Sequence, residues 1–297
     1  GEAGAALGFA AARIFDVVDP LEREKIAILA EKGIAGGKAE IKFFRQVQKD
    51  ALEFLDLCGR TESRSTERFR DLHENKLVQY AILDSVAAVL CPAAKLWNTG
   101  KGSVAMREAV SLMGGYGITE DCPGFLGHKW MDSQLEATYE GPEAVQRRNL
   151  TLTMTNEVFL AQFRNWISEM RIHAARRPGT GACALATAMR LWLWTLNHLQ
   201  VVADANGEKL YHGPRQAVTF ALADALCWLL ASRQQILDVI ELEHRGPENP
   251  IVAEGLEGTV QFLTDLCHVQ VAKAAGEVGR ICAELVNGYN RHPAWDE

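Results

Sequence analysis

Two short stretches carry residue types that could do chemistry. The first is Ser111-Leu112-Met113-Gly114-Gly115-Tyr116-Gly117-Ile118-Thr119-Glu120, and the second, some twenty residues on, is Tyr139-Glu140-Gly141-Pro142-Glu143-Ala144-Val145-Gln146-Arg147-Arg148. A Gly-Gly-x-Gly after a helix frees backbone N–H groups and lets the chain approach a phosphate-bearing ligand closely. Gly is also the commonest residue just past a helix C-terminus, so a Schellman-type cap accounts for Gly114 or Gly115 with no ligand. Glu140 lies between an aromatic ring and a glycine at the predicted start of the next helix. A carboxylate desolvated against a ring gains proton affinity, which suits a general base facing an apolar substrate. The alternative is a solvated first-turn glutamate favoured by the helix dipole.

Other pairs are weaker. Glu241 and His244, and Asp265 and His268, have a spacing that puts two ligands on one helix face, but a di-iron bundle needs two ExxH pairs and two further glutamates. His198 and His212 match no zinc spacing. No metal site is expected. Trp192 and Trp194 could line a channel or simply fill a core.

The elements that position these residues read as helices. Ala, Leu, Glu, Arg and Gln dominate long stretches, and series of alternating strand-type residues are absent, so the fold class is all-α. Leu256, Val260, Leu263, Cys267, Val271, Ala274, Val278, Ile281 and Leu285 recur once per turn and predict one long amphipathic helix. Prolines punctuate the pattern. Pro20, Pro123, Pro178, Pro214, Pro247 and Pro250 fall where periodicity pauses, and Pro92, inside an otherwise continuous pattern, predicts a kink or a break. The densest breaker run, Arg176 to Gly181, divides the chain into a first helical domain, 1–175, and a helical extension, 176–297. Within the extension, residues 183 to 287 should form a bundle of three or more helices.

The 297 residues, 48% hydrophobic and 23% charged, leave ample material for a core. The net charge of −7 is spread over both halves, which argues against nucleic acid as a partner. Seven cysteines without a CxxC pair read as free, mostly buried thiols of a reducing cytoplasm. The chain opens at Gly1 with no targeting signal in view, and its most apolar segment, Thr219 to Ala231, is too short for a membrane span, so a cytoplasmic protein without a transmembrane segment is expected.

Taken together, Ala93-Ala94-Lys95-Leu96, Gly114-Gly115-Tyr116-Gly117, Asp132, Tyr139-Glu140-Gly141 and Gln146-Arg147 resemble, in order and spacing, the C-terminal domain of the acyl-CoA dehydrogenase flavoproteins. The resemblance covers roughly residues 76 to 155. It implies an oxidoreductase of fatty acid metabolism that dehydrogenates an acyl-CoA thioester between its α and β carbons, with FAD as cofactor and an electron-transfer acceptor downstream. Glu140 would remove the α-proton, Tyr139 and Gly141 would border the substrate, and Gly114, Gly115 and Gly117 would contact the FAD of a neighbouring subunit. Self-association, as a dimer, follows from the same comparison.

The sequence departs from the family pattern at Met131, Pro142 and Ser111, where the family commonly has Arg, Thr and Gln, and Arg13-Ile14-Phe15-Asp16 is a poor substitute for its Arg-x-x-Phe-Gly. The family's N-terminal helical domain and small β-domain have no counterpart in these residues, so the chain by itself would be an incomplete enzyme. The extension resembles the extra helical bundle of the long-chain and very-long-chain members. A non-catalytic helical interaction module that keeps the family fold is the alternative reading.

Overall fold

Eleven α-helices follow one another in the computed structural model, which describes residues 1–204 and 206–288; the last nine residues of the expected extension lie outside the described residues. The first is α1, Glu2–Glu31, which buries Leu7, Ala11, Ile14, Val18 and Leu21 at alternating steps of four and three, one face of a helix. Next come α2, Gly37–Cys58, and the short α3, Glu67–Glu74. The longest helix is α4, Lys76–Leu112, started by Asn75, whose side-chain oxygen accepts from the N–H groups of Leu77 and Val78 at 3.0 and 3.4 Å. A 3-10 turn at Gly114–Ile118 leads to α5, Leu126–Glu136, and α6, Glu143–Thr153. Then follow α7, Glu157–Arg176, α8, Ala182–Val201, α9, Gln216–Arg245, α10, Pro250–Ala253, and α11, Leu256–Gly288. No strand occurs among the described residues, only an isolated bridge between Ala203 and Lys209.

The predicted long helix is α11, which buries Val260, Cys267, Val271, Ala274, Val278, Ile281 and Leu285 and packs with α8 and α9. The pause expected at Pro20 is corrected, because α1 passes through it, and of the kink or break expected at Pro92 the break does not occur, because α4 is continuous there. A proline in a helix removes the donor to the carbonyl four residues back and crowds it. At Pro92 that carbonyl belongs to Ala88, which is exposed, so the acceptor left without a helical donor lies on the open side of α4. The neighbours Val89, Leu90 and Ala93 are buried, and their packing holds the helix together. By length and composition α4 is also apolar enough to cross a membrane, a property the sequence reading assigned to no segment, and 56% of that apolar stretch is buried inside this bundle.

A single hydrophobic cluster runs from Leu7 and Val89 through Phe163, Trp192 and Leu226 to Val278 and Leu285, so core residues from both sides of the Arg176–Gly181 run touch one another. Trp192 is its largest fully buried side chain, and its ring N–H donates to the carbonyl of Leu222 at 2.9 Å, so burial leaves no polar atom unpaired there. A second, smaller cluster joins α2, α3 and α4 through Ala51, Leu55, Leu72 and Val78. Seven free cysteines are distributed over this framework, four of them buried.

Candidate functional site

α4 is the rail on which the site is mounted. Lys95, on its exposed side, donates to the carbonyl of Glu136 at 2.7 Å and stands 5.0 Å over the ring of Tyr139, which fixes the end of α5 against α4. Ser103 does the same one region further along by donating to the carbonyl of Ser133 at 2.9 Å. The chain between α5 and α6 then turns sharply. Glu140 and Gly141 take left-handed backbone angles in succession, φ 53° and 85°. A glutamate gains nothing from that conformation in itself, and such residues cluster where a side chain must be aimed.

The turn is held by Gln146, one helical turn into α6. Its side-chain amide donates to the carbonyls of Gly141 at 3.1 Å and Glu140 at 3.4 Å. A methyl group at Gly141 would overlap that amide, so this position needs glycine both for its φ and for the approach of Gln146. Pro142 precedes the first residue of α6, where its missing N–H costs nothing, and its carbonyl accepts from Val145 and Gln146. Glu140 therefore stands in a turn three residues before the start of α6 rather than in its first turn.

Glu140, Lys95, Pro92 and Gln146 line one open groove of about 510 Å³, with Cys91 and Leu152 further along its walls. Cys91 offers no nucleophile there, because burial pushes its thiol up to about 11 and keeps it protonated at neutral pH. The Tyr139 hydroxyl is also held protonated, first by its hydrogen bond to Glu136 and then by the surrounding carboxylates. The groove thus offers a carboxylate, a cation and amide groups above a wall of small side chains.

The glycine stretch lies elsewhere. From Lys95 to the end of α4 is roughly 26 Å along the helix axis, so within this chain Gly114 to Gly117 do not meet Glu140. Gly114, φ 61°, is the left-handed residue just past α4, as a helix stop requires. Gly117 is buried, and a Cβ there would come within 2.5 Å of the Val110 carbonyl oxygen, so its smallness serves the closure of the turn. Gly114 and Gly115 have open space where side chains would be, and Leu112, Tyr116 and Ile118 beside them are exposed. The turn therefore presents bare backbone flanked by exposed apolar side chains.

Sequence reasoning missed Arg147 as an anchor. Its guanidinium donates to both carboxylate oxygens of Asp224 on α9, at 2.9 and 3.1 Å, and to Glu143 at 3.0 Å. Asp224 interrupts the most apolar run of the chain, the one available hint that a partner waits for it. Of the other pairs, Glu241 is engaged by Arg13 at 2.9 Å and Arg245 at 3.1 Å, and no group of three or more metal-ligating side chains forms among the described residues. Trp194 is 53% exposed and stacks on His198, whereas Trp192 is core.

Comparison with known proteins gives one match, to the family profile described as "Acyl-CoA dehydrogenase, C-terminal domain", over residues 75–154. No curated protein and no solved structure matches the chain. The matched stretch begins at Asn75, the cap of α4, and ends at Met154, the residue that closes α6, so it is the rail, the glycine turn and the Glu140 turn as one unit. Residues 75–154, all-helical and carrying these turns, are thus similar to the C-terminal domain of the acyl-CoA dehydrogenases, and the match covers 80 of the 297 residues.

Proposed function

We propose that this chain forms the C-terminal part of an FAD-dependent acyl-CoA dehydrogenase, with Glu140 as the base that removes the α-proton of an acyl-CoA thioester. The observation that carries this reading is the Gln146 brace: a side chain spends its amide on holding Glu140 and Gly141 in left-handed backbone at the mouth of a groove. The thioester carbonyl acidifies the α-carbon, and a carboxylate fixed in place loses little entropy when it accepts the proton. Lys95, tied to Glu136 and Tyr139, keeps the turn from swinging away from α4, while Tyr139 and Gly141 border the substrate beside the base.

FAD, when bound, supplies the acceptor for the hydride that leaves the β-carbon. Gly114 and Gly115 are the residues that would lie against it, with Gly117 setting the turn, and their distance from Glu140 along α4 suits a cofactor shared between subunits. The test is the full-length parent protein, in which Glu140→Gln should lower turnover by about 10²–10⁴-fold while acyl-CoA binding persists. Undiminished turnover would exclude Glu140 as the base.

A second reading, a non-catalytic interaction module with the family fold, is favoured by Ser111, whose hydroxyl is spent on the Arg107 carbonyl of its own helix at 3.0 Å, where the family commonly places a glutamine. Stoichiometric flavin in the purified parent would exclude it.

A further inference from the structure

The groove at Glu140 does not end at Leu152. A second cavity of about 390 Å³ opens along the same side of α4 toward α2, and the two share Ala88, Leu152 and Thr153 as a common waist. From the level of Lys95 to that of Asp84 the path follows α4 for about 16 Å, the length of roughly a dozen methylene carbons. One wall of the far cavity is apolar, formed by Phe44, Val47 and Val158.

The opposite wall is polar. Asp84 is the one charged side chain among the described residues that line this cavity. Lys25 donates to the Tyr80 hydroxyl at 2.8 Å, and Tyr80 bonds in turn to Asp84, which leaves further acceptor positions of that carboxylate without a protein donor. Asp84 is exposed in this chain and so free to meet a ligand, and the part of its surroundings that is apolar raises its carboxyl, with Lys25 opposing the shift. Asn156 uses its side-chain oxygen to cap α7, accepting from Val158 at 2.9 Å and Phe159 at 3.2 Å, so its NH₂ group is what remains for the cavity. At the waist, the Ala88 carbonyl lacks its helical donor because that residue is Pro92.

A plain hydrocarbon tail laid past the waist would remove the remaining water from Asp84 and give no hydrogen bond in return, which is costly. A hydroxyl at that depth would donate to Asp84 and accept from Asn156. We infer that the substrate of this site is an acyl-CoA whose chain carries a hydrogen-bonding group about a dozen atoms from the thioester, received by Asp84 and Asn156 in the far cavity. The inference rests on the acyl-CoA reading of Glu140 and adds the class of acyl group.

The test is calorimetric titration of the full-length parent protein with butanoyl-CoA, dodecanoyl-CoA and ω-hydroxydodecanoyl-CoA, with helicity checked for each variant. The ω-hydroxy probe should bind about tenfold more tightly than dodecanoyl-CoA, and Asp84→Leu should abolish or invert that preference. Ala88→Trp, which fills the waist, should weaken both long probes about tenfold relative to butanoyl-CoA. Equal affinity of the two long probes, or indifference of both to Ala88→Trp while butanoyl-CoA binds, would overturn the far-cavity inference and leave the reading of Glu140 standing. Failure of all three probes to bind would overturn both.

Discussion

The side-chain amide of Gln146 lies 3.1 Å from the carbonyl oxygen of Gly141, in the space that any larger residue at 141 would need. The Glu-Gly and Gln of the motif are thus one mechanical part, in which glycine makes room for the glutamine that holds the turn. Gln146→Ala should cost about 0.5–1.5 kcal/mol in urea unfolding and speed amide exchange around 139–142. Gly141→Ala should cost more, since it combines a positive φ with overlap of the amide. Equal unfolding midpoints for the two variants and the parent would show that the turn is held by something else.

Arg147 and Asp224 couple α6 to α9. Burial raises the Asp224 carboxyl even though Arg147 opposes the shift, so the pair matters chiefly as insurance against an uncompensated charge. Because both side chains keep some contact with water, Arg147→Met should cost about 1–3 kcal/mol, less than for a fully buried pair. The double variant Arg147→Met/Asp224→Leu should recover most of that loss in a chemical denaturation series.

Two tryptophans one residue apart on the sequence pattern should differ sharply. Trp192→Ala removes the centre of the core and an indole hydrogen bond, and should cost about 3–5 kcal/mol. Trp194→Ala removes a side chain that is 53% exposed and should change stability by no more than about 0.5 kcal/mol. Thermal unfolding followed by far-UV circular dichroism separates the two outcomes.

The connection between α8 and α9 contains an acid-sensitive clasp. The Asp204 carboxyl lies below the usual carboxylate range, first because the Glu208 N–H donates to it at 2.9 Å, then through Arg215 and the Asn206 N–H. A carboxyl that is more acidic folded than unfolded adds stability above its unfolded value, about pH 4, and loses it as pH falls through the folded value. Amide exchange at Glu208 and Leu210, corrected for intrinsic rates, should rise below about pH 4. In Asp204→Ala it should be high throughout; the same acid response in that variant would assign the effect to another group.

Exposed Leu112, Tyr116 and Ile118 around the bare Gly114-Gly115 backbone form the surface on which self-association is expected. Light scattering after size-exclusion chromatography should report a dimer at tens of micromolar, an order-of-magnitude range for weak contacts, and Leu112→Glu should shift it to monomer. A monomer in the unaltered chain would remove this surface as a dimer contact.

What could be read from the amino acids was what depends on local order. The α11 stripe repeats once per turn, and Gly114 sits just past α4 where a cap residue was expected, so both were legible, whereas the left-handed angles at Glu140 and Gly141 were not. Pro20 misled, and Pro92 did not break its helix, because tertiary packing outweighs one lost hydrogen bond when the orphaned carbonyl lies on an exposed side. The Arg147 to Asp224 bridge spans 77 residues, and nothing in local periodicity pairs them. The same holds for the waist at Ala88, which exists only because Leu152 and Thr153 come back over α4.

That long-range bridge has a consequence for the order in which the protein takes shape on the ribosome. With 77 residues between them, Asp224 is made on the order of 4–15 s after Arg147. Until then Leu150 and Met154, both fully buried in the finished molecule, have only part of their covering. The segment that bears the Glu140 turn is translated before α9 and completed only after it, so nascent chains stalled before α9 should hold an open, protease-sensitive α6.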